Sequence, residues 1–155
     1  MKKSTVLSAT ALLLAFVFCL FAFAACGETE NIPSGENEFP ENAKMTLVIA
    51  TDPVAEYTID LSGKSKDVTV TSLMDDEGIP YTMSGTMITS AGGLSQSGNV
   101  YLYLYTSVEK DKDVSQWMTT IEYKGVTLTD AGVGILDMTV EDGCIIYIGT
   151  IVYSL

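Results

Sequence analysis

Histidine and arginine are both missing from this 155-residue sequence, and it holds only three cysteines. Without His, no Ser-His-Asp or Cys-His nucleophile can be assembled. His zinc ligands and a His-based switch near neutral pH are excluded as well. Without Arg there is no bidentate clamp for phosphate or carboxylate. Positive charge is scarce throughout: 8 Lys stand against 20 Asp and Glu, a formal net charge of −12. Such a surface repels nucleic-acid phosphates and anionic lipids, so nucleic acid is rejected as a partner. With so few catalytic groups, the chain is expected not to be an enzyme.

What is present begins at the N-terminus. Lys2 and Lys3 form a short positive region, and Val6 to Ala25 follows without a charge, polar only at Ser8 and Thr10. Then comes Phe23-Ala24-Ala25-Cys26-Gly27. Small residues just before a cysteine suit a lipoprotein signal peptidase, whose pocket admits no bulk there. The motif resembles the bacterial lipobox, with Phe23 where Leu is usual. It implies a signal peptide over residues 1–25, cut to leave acyl chains on Cys26. More than one chain matters, since each buried CH₂ contributes ~0.8 kcal/mol and a single chain binds only marginally. The alternative is an uncleaved transmembrane helix. The apolar stretch exceeds the ~7–15 residues of a usual signal-peptide core and approaches the ~20 that span a bilayer. Both readings place the rest of the chain on the extracytoplasmic face of the bacterial cell membrane, because Lys2 and Lys3 hold the N-terminus inside. Loss of the leader would leave six Lys against twenty acids, a net charge of −14.

No disulfide is expected within the mature chain. Cys19 leaves with the leader, Cys26 is lipidated, and Cys144 has no partner. Between Gly143 and Ile145-Ile146, Cys144 reads as a buried, inert thiol.

Residues 26–43 read as the lipidated Cys followed by a flexible acidic linker. Its five Glu, two Pro and absence of basic residues leave too little apolar surface to offset chain entropy. A linker of this length spans roughly 23 Å r.m.s. by the ~5–6 Å × √n rule.

Residues 44–155 read as one domain, mostly of strands. Met45 to Ala50 is a short apolar run, and Tyr57, Ile59 and Leu61 alternate with polar residues. Ser72 precedes Asp75 by three, a spacing like that of a capping box, and Gly78 can close the chain in the left-handed region. A short helix is therefore expected over residues 72–77. Strands follow at Thr86 to Ser90, Tyr101 to Tyr105, Trp117 to Tyr123 and Asp137 to Val140, with Glu109 to Asp113 as a solvated turn. Glu141-Asp142-Gly143 is a hairpin signal. Cys144 to Tyr153 is nearly all apolar and is expected to be central and buried on both faces. The fold class is α+β, a mixed sheet with one short helix, β-grasp-like in outline.

Four stretches carry a resemblance to a known family. They are Val70-Thr71-Ser72-Leu73-Met74 with Gly78; Ile88-Thr89-Ser90-Ala91-Gly92-Gly93-Leu94; Trp117 through Tyr123 with Gly125; and Gly132-Val133-Gly134 with Met138 through Gly143. In this order and spacing, residues 44–155 resemble the bacterial relatives of the transcobalamin C-terminal domain, a β-grasp-like module of surface lipoproteins. The resemblance implies a non-enzymatic binding module. In transcobalamins the corresponding domain contacts cobalamin from one side and a helical domain closes the other. Here there is no helical partner and no His to coordinate cobalt, so cobalamin would be held by surface contacts alone. No cofactor is expected otherwise, and no metal.

The candidate ligand-binding residues fall in two groups. Ser90, Gly92, Gly93 and Ser95 form a loop with accessible N–H groups and two hydroxyls. In the family this loop borders the ligand-facing edge, but Gly92-Gly93 also suits a plain tight turn. Tyr101, Tyr103 and Tyr105 share one side of a strand and could stack a flat ligand or glycan. The structural alternative is that they cover the sheet. Trp117 is expected in the core with Ile121 and Tyr123. Asp75-Asp76-Glu77 and Asp111-Lys112-Asp113 lack the spacing of a calcium loop and read as solvated charge.

Two functions follow. One is a membrane-anchored extracellular module for a corrinoid-like or other small ligand. The other is a cell-surface interaction or adhesion module that contacts another protein or the cell wall.

Overall fold

A computed structural model of the chain describes residues 37–153. The leader, Cys26 and the first part of the linker lie outside these residues. Among the described residues no helix is long and apolar enough to cross a membrane.

Among the described residues, two sheets, one short α-helix and a 3-10 turn (Glu109–Asp111) make up the architecture, a mixed-sheet α+β fold as expected. The larger sheet is built from β1 (Lys44–Ile49), β2 (Ala55–Asp60), β6 (Val100–Thr106), β7 (Thr120–Tyr123), β8 (Val126–Asp130) and β9 (Ile145–Val152). Its order is β2-β1-β9-β6-β8-β7. Only β1 and β9 run parallel, with Thr46 opposite Ile145 and Ile49 opposite Ile148. The smaller sheet is antiparallel, ordered β3 (Tyr81–Ser84), β4 (Met87–Ala91), β5 (Leu94–Ser95). The helix, α1 (Val70–Asp76), lies in the connection between β2 and β3.

The alternation of β1 explains how the core is assembled. Met45, Leu47 and Ile49 are essentially unexposed and point to one side, where Ile146 and Ile148 of β9 and Leu102 of β6 join them. Each such side chain contributes about 1.5–3 kcal/mol on full burial. Helix α1 covers this face with Val70, Leu73 and Met74, all fully buried. Seven residues are too few for an isolated helix to persist in water, so packing holds α1 in place. Its first turn is capped by Thr69, whose hydroxyl accepts the Ser72 N–H at 3.2 Å. The cap is therefore three residues earlier than the Ser72 expected from sequence. The helix ends as expected at Gly78, with φ of +65°.

Other expectations are also corrected. The end of the linker belongs to the domain. Phe39 is 7 % exposed within the core, its N–H donates to the Lys64 carbonyl, and Ala43 is buried. Asp137 to Val140 form no strand; a turn there carries Met138 and Val140 into the core. Gly143 does complete a turn, with the Cys144 N–H bonded to the Glu141 carbonyl. The strand that follows runs parallel to β1, so this turn is not a hairpin. β9 is central, but Ile146 and Ile148 alone of its large side chains are fully buried, while Tyr147 on the other face is only half-buried.

Candidate functional site

The Ser90–Ser95 segment is a tight hairpin. Pairing of Ala91 with Leu94 and of Ser90 with Ser95 leaves Gly92 and Gly93 as a two-residue turn. Their φ angles are +51° and +106°, and positive values at both central residues suit the twist of a two-residue hairpin. The Gly92 N–H donates to the Pro80 carbonyl at 2.8 Å. A Cβ on Gly92 would lie 2.6 Å from Cδ1 of Ile49, in the core. Turn geometry and packing thus account for both glycines. The Ser90 hydroxyl is shared with Thr82 Oγ1 at 2.7 Å, and Ser95 is exposed.

The tyrosines of β6 face the opposite way. Leu102 packs with Ile88 and Ala91 in the core, so alternation turns Tyr101, Tyr103 and Tyr105 to the other side of β6 from the glycine hairpin. The two candidate groups therefore do not line one cavity. Exposure falls along the ladder, from Tyr101 at 43 % to Tyr105 at 9 %. Tyr103 contacts Tyr105 at 5.4 Å between ring centroids, Tyr105 contacts Tyr147 at 6.1 Å, and Tyr147 contacts Tyr123 at 5.7 Å. These rings pack against one another. Tyr103 donates its hydroxyl to Asp130 Oδ2 at 2.9 Å. Burial, and then that carboxylate, push the Tyr103 phenol up to about 12. The outer pair, Tyr101 and Tyr153, meets edge to face at 5.5 Å with both rings about half exposed.

Trp117 lies outside the core. It is 78 % exposed, with Val114 at 94 % and Met118 at 51 % beside it. The reason lies in Asp113 and Ser115. The Asp113 carboxylate accepts the Ser115 N–H at 2.8 Å and its hydroxyl at 2.7 Å, while Ser115 Oγ accepts the Trp117 N–H at 3.2 Å. These bonds also hold the Asp113 carboxyl below its usual range. A turn of this kind ends period-two alternation, and β7 begins only at Thr120. The Asp-x-Ser spacing was the signal for it.

Of the acidic runs, Asp75-Asp76-Glu77 is solvent-exposed as expected, whereas Asp111 is buried. Asp111 is 5 % exposed and accepts both the N–H and the hydroxyl of Thr139, at 2.5 and 3.0 Å. Asp76 pairs with Lys64 at 2.6 Å, and Asp75 accepts the Tyr81 hydroxyl. Among the described residues no three metal-ligating side chains come together. An open depression of ≈ 360 Å³ lies where Phe39 and Pro40 meet the 139–142 turn, with Lys66 and Lys110 on its rim. Its walls come from four separate stretches of chain, so no local sequence pattern marks it.

Compared with known proteins, the chain matches no family model and no curated protein.

Proposed function

We propose that this chain is a membrane-tethered, extracytoplasmic binding module that engages a surface protein through the segment 114–118. The observation that carries this reading is the exposure of Val114, Trp117 and Met118 within five residues. Trp is enriched among the anchors of protein interfaces, and clustered exposed apolar side chains mark contact sites. The Asp113–Ser115 turn orders the backbone in advance, which lowers the entropy cost of binding. The tether belongs to the same proposal and rests on Lys2, Lys3 and the Cys26 motif. The absence of catalysis is also part of it. It is supported by the lack of His and by Cys144, whose thiol burial pushes up to about 11.

The β-grasp-like reading and the kinship with transcobalamin C-terminal relatives are proposed together. They are supported by element order: a β1–β2 hairpin, then α1, with β9 returning parallel beside β1 and antiparallel to β6. A second reading, a ring-bearing ligand such as a corrinoid, is favoured by the exposed Tyr101–Tyr153 pair.

The test places a photo-crosslinking residue at position 117 of the full chain in a bacterial envelope. One reproducible protein adduct, reduced by Met118→Ala, is expected. No adduct, together with cobalamin binding that Tyr101→Ala abolishes, would replace the first reading by the second. Palmitate labelling that persists in Cys26→Ala would overturn the tether.

A further inference from the structure

The depression beside the N-terminal entry to the domain has a chemistry of its own. Phe39 and Val140 are 7 % and 4 % exposed, so each offers only an edge, and with Pro40 they make an apolar floor. Its volume, ≈ 360 Å³, lies near the lower end of the ~300–1,000 Å³ of small-molecule sites. Charges of both signs stand at its rim. Lys66 and Lys110 are two of the six lysines beyond the leader, and Glu141 stands with them.

These rim charges are not equally committed. Asp142, also on the rim, accepts the Lys44 N–H at 2.9 Å and anchors the chain at the start of β1. Lys110 and Glu141 sit at 3.9 Å, the outer limit of an ion pair, with side chains 63 % and 53 % exposed. A pair so long and so exposed contributes little to stability. Its two members can exchange each other for the charges of a ligand without a large penalty.

We propose that this depression binds a small zwitterion with an apolar body, the chemistry of an apolar α-amino acid or of a very short apolar peptide. The ligand carboxylate meets the Lys110 ammonium, the ligand ammonium meets the Glu141 carboxylate, and the apolar side chain lies on Phe39, Pro40 and Val140. A simple anion would face Glu141 and Asp142, and a simple cation would face Lys66 and Lys110. Only a ligand carrying both charges satisfies the rim, and only an apolar body covers the floor. This site is separate from the Trp117 segment and does not depend on its role.

Ligand-observed saturation-transfer NMR on the detergent-solubilised full chain tests the assignment, with free leucine, N-acetyl-leucine, leucinamide and dileucine as probes. Leucine or dileucine is expected to bind, and the better of the two identifies the free amino acid or the peptide as the source. N-acetyl-leucine and leucinamide each lack one charge and are expected to bind about five- to tenfold more weakly. Lys110→Ala and Glu141→Ala are expected to cause a similar loss. Equal binding of leucine and N-acetyl-leucine, or no binding by leucine and dileucine at millimolar concentration, would overturn the proposal. Glycine binding as well as leucine would also overturn it, because the apolar floor would then have no part.

Discussion

Tyr123, on one edge strand of the six-stranded sheet, donates its hydroxyl to Glu56 on the opposite edge strand. In a flat sheet those edges would stand about 24 Å apart, from five spacings of ~4.8 Å. The sheet is therefore strongly curled, and a side-chain latch joins its edges. Lys124 ends on the same carboxylate at 2.6 Å, with its ammonium 5.6 Å from the Tyr123 ring centroid. Val48, Tyr105 and Leu128 are buried on the side that the curl encloses.

The latch has a pH signature. Lys124 first, and then Tyr123, hold the Glu56 carboxyl below its ordinary 4.5. Its contribution to stability is present above 4.5 and is lost as pH falls through the lowered value. The Glu56 bond pushes the Tyr123 phenol from 10.0 up to about 12. That contribution is complete below 10.0 and is lost as pH rises toward about 12. Melting curves of the native chain and Tyr123→Phe should therefore differ most near neutrality and converge at both extremes. A gap in Tm that stays constant across pH would assign the effect to packing instead.

Gly92 is a packing glycine. Gly92→Ala should destabilise the domain by more than the ~1–2 kcal/mol of a left-handed residue, because the new methyl meets Ile49 Cδ1 at 2.6 Å. Ile49→Val removes that atom. In urea titrations the double variant should lose less stability than the two single losses added together. Strict additivity would argue against the clash.

Asp111 joins two distant stretches of chain by accepting from Thr139. Asp111→Ala leaves the Thr139 N–H and hydroxyl without their acceptor, at a cost of roughly 1–3 kcal/mol. Thr139→Ser keeps both bonds and should be much milder. Equal losses in the two variants, read from denaturant midpoints, would contradict this role.

Trp117→Ala should leave stability within about 0.5 kcal/mol of the native chain, since the ring lies mostly in water. The single Trp should likewise emit like free indole, and its emission should shift to the blue when a partner covers it. A blue-shifted emission in the isolated chain would place the ring elsewhere.

Local periodicity made much of the fold legible. Met45 to Ala50 and Tyr101 to Tyr105 read as strands because their alternate residues do face opposite sides. The apolar run of β9 read correctly as central. Its neighbours were not readable, since pairing with β1 links residues almost a domain length apart. The helix start is not legible locally, because β-branched Val70 suits a strand, whereas its full burial beneath the sheet draws it into α1. Phe39 looked like one apolar residue in a polar linker; only the Lys64 carbonyl and the core around it reveal its place. At the candidate site, Gly92-Gly93 was legible as a turn. The exposure of Trp117 is not legible from alternation, because the Asp113–Ser115 turn interrupts it. The buried state of Asp111 depends on Thr139, 28 residues away, which no local pattern contains.

The parallel pairing of β1 with β9 also governs when this molecule can become a folded one. The middle of the large sheet stays open until the stretch from Ile145 to Val152 is available, whatever has formed before it. Pairings so distant in sequence close slowly. A growing chain would thus stay open until nearly the whole domain had been made, and truncation ahead of Ile145 would remove the keystone of the sheet.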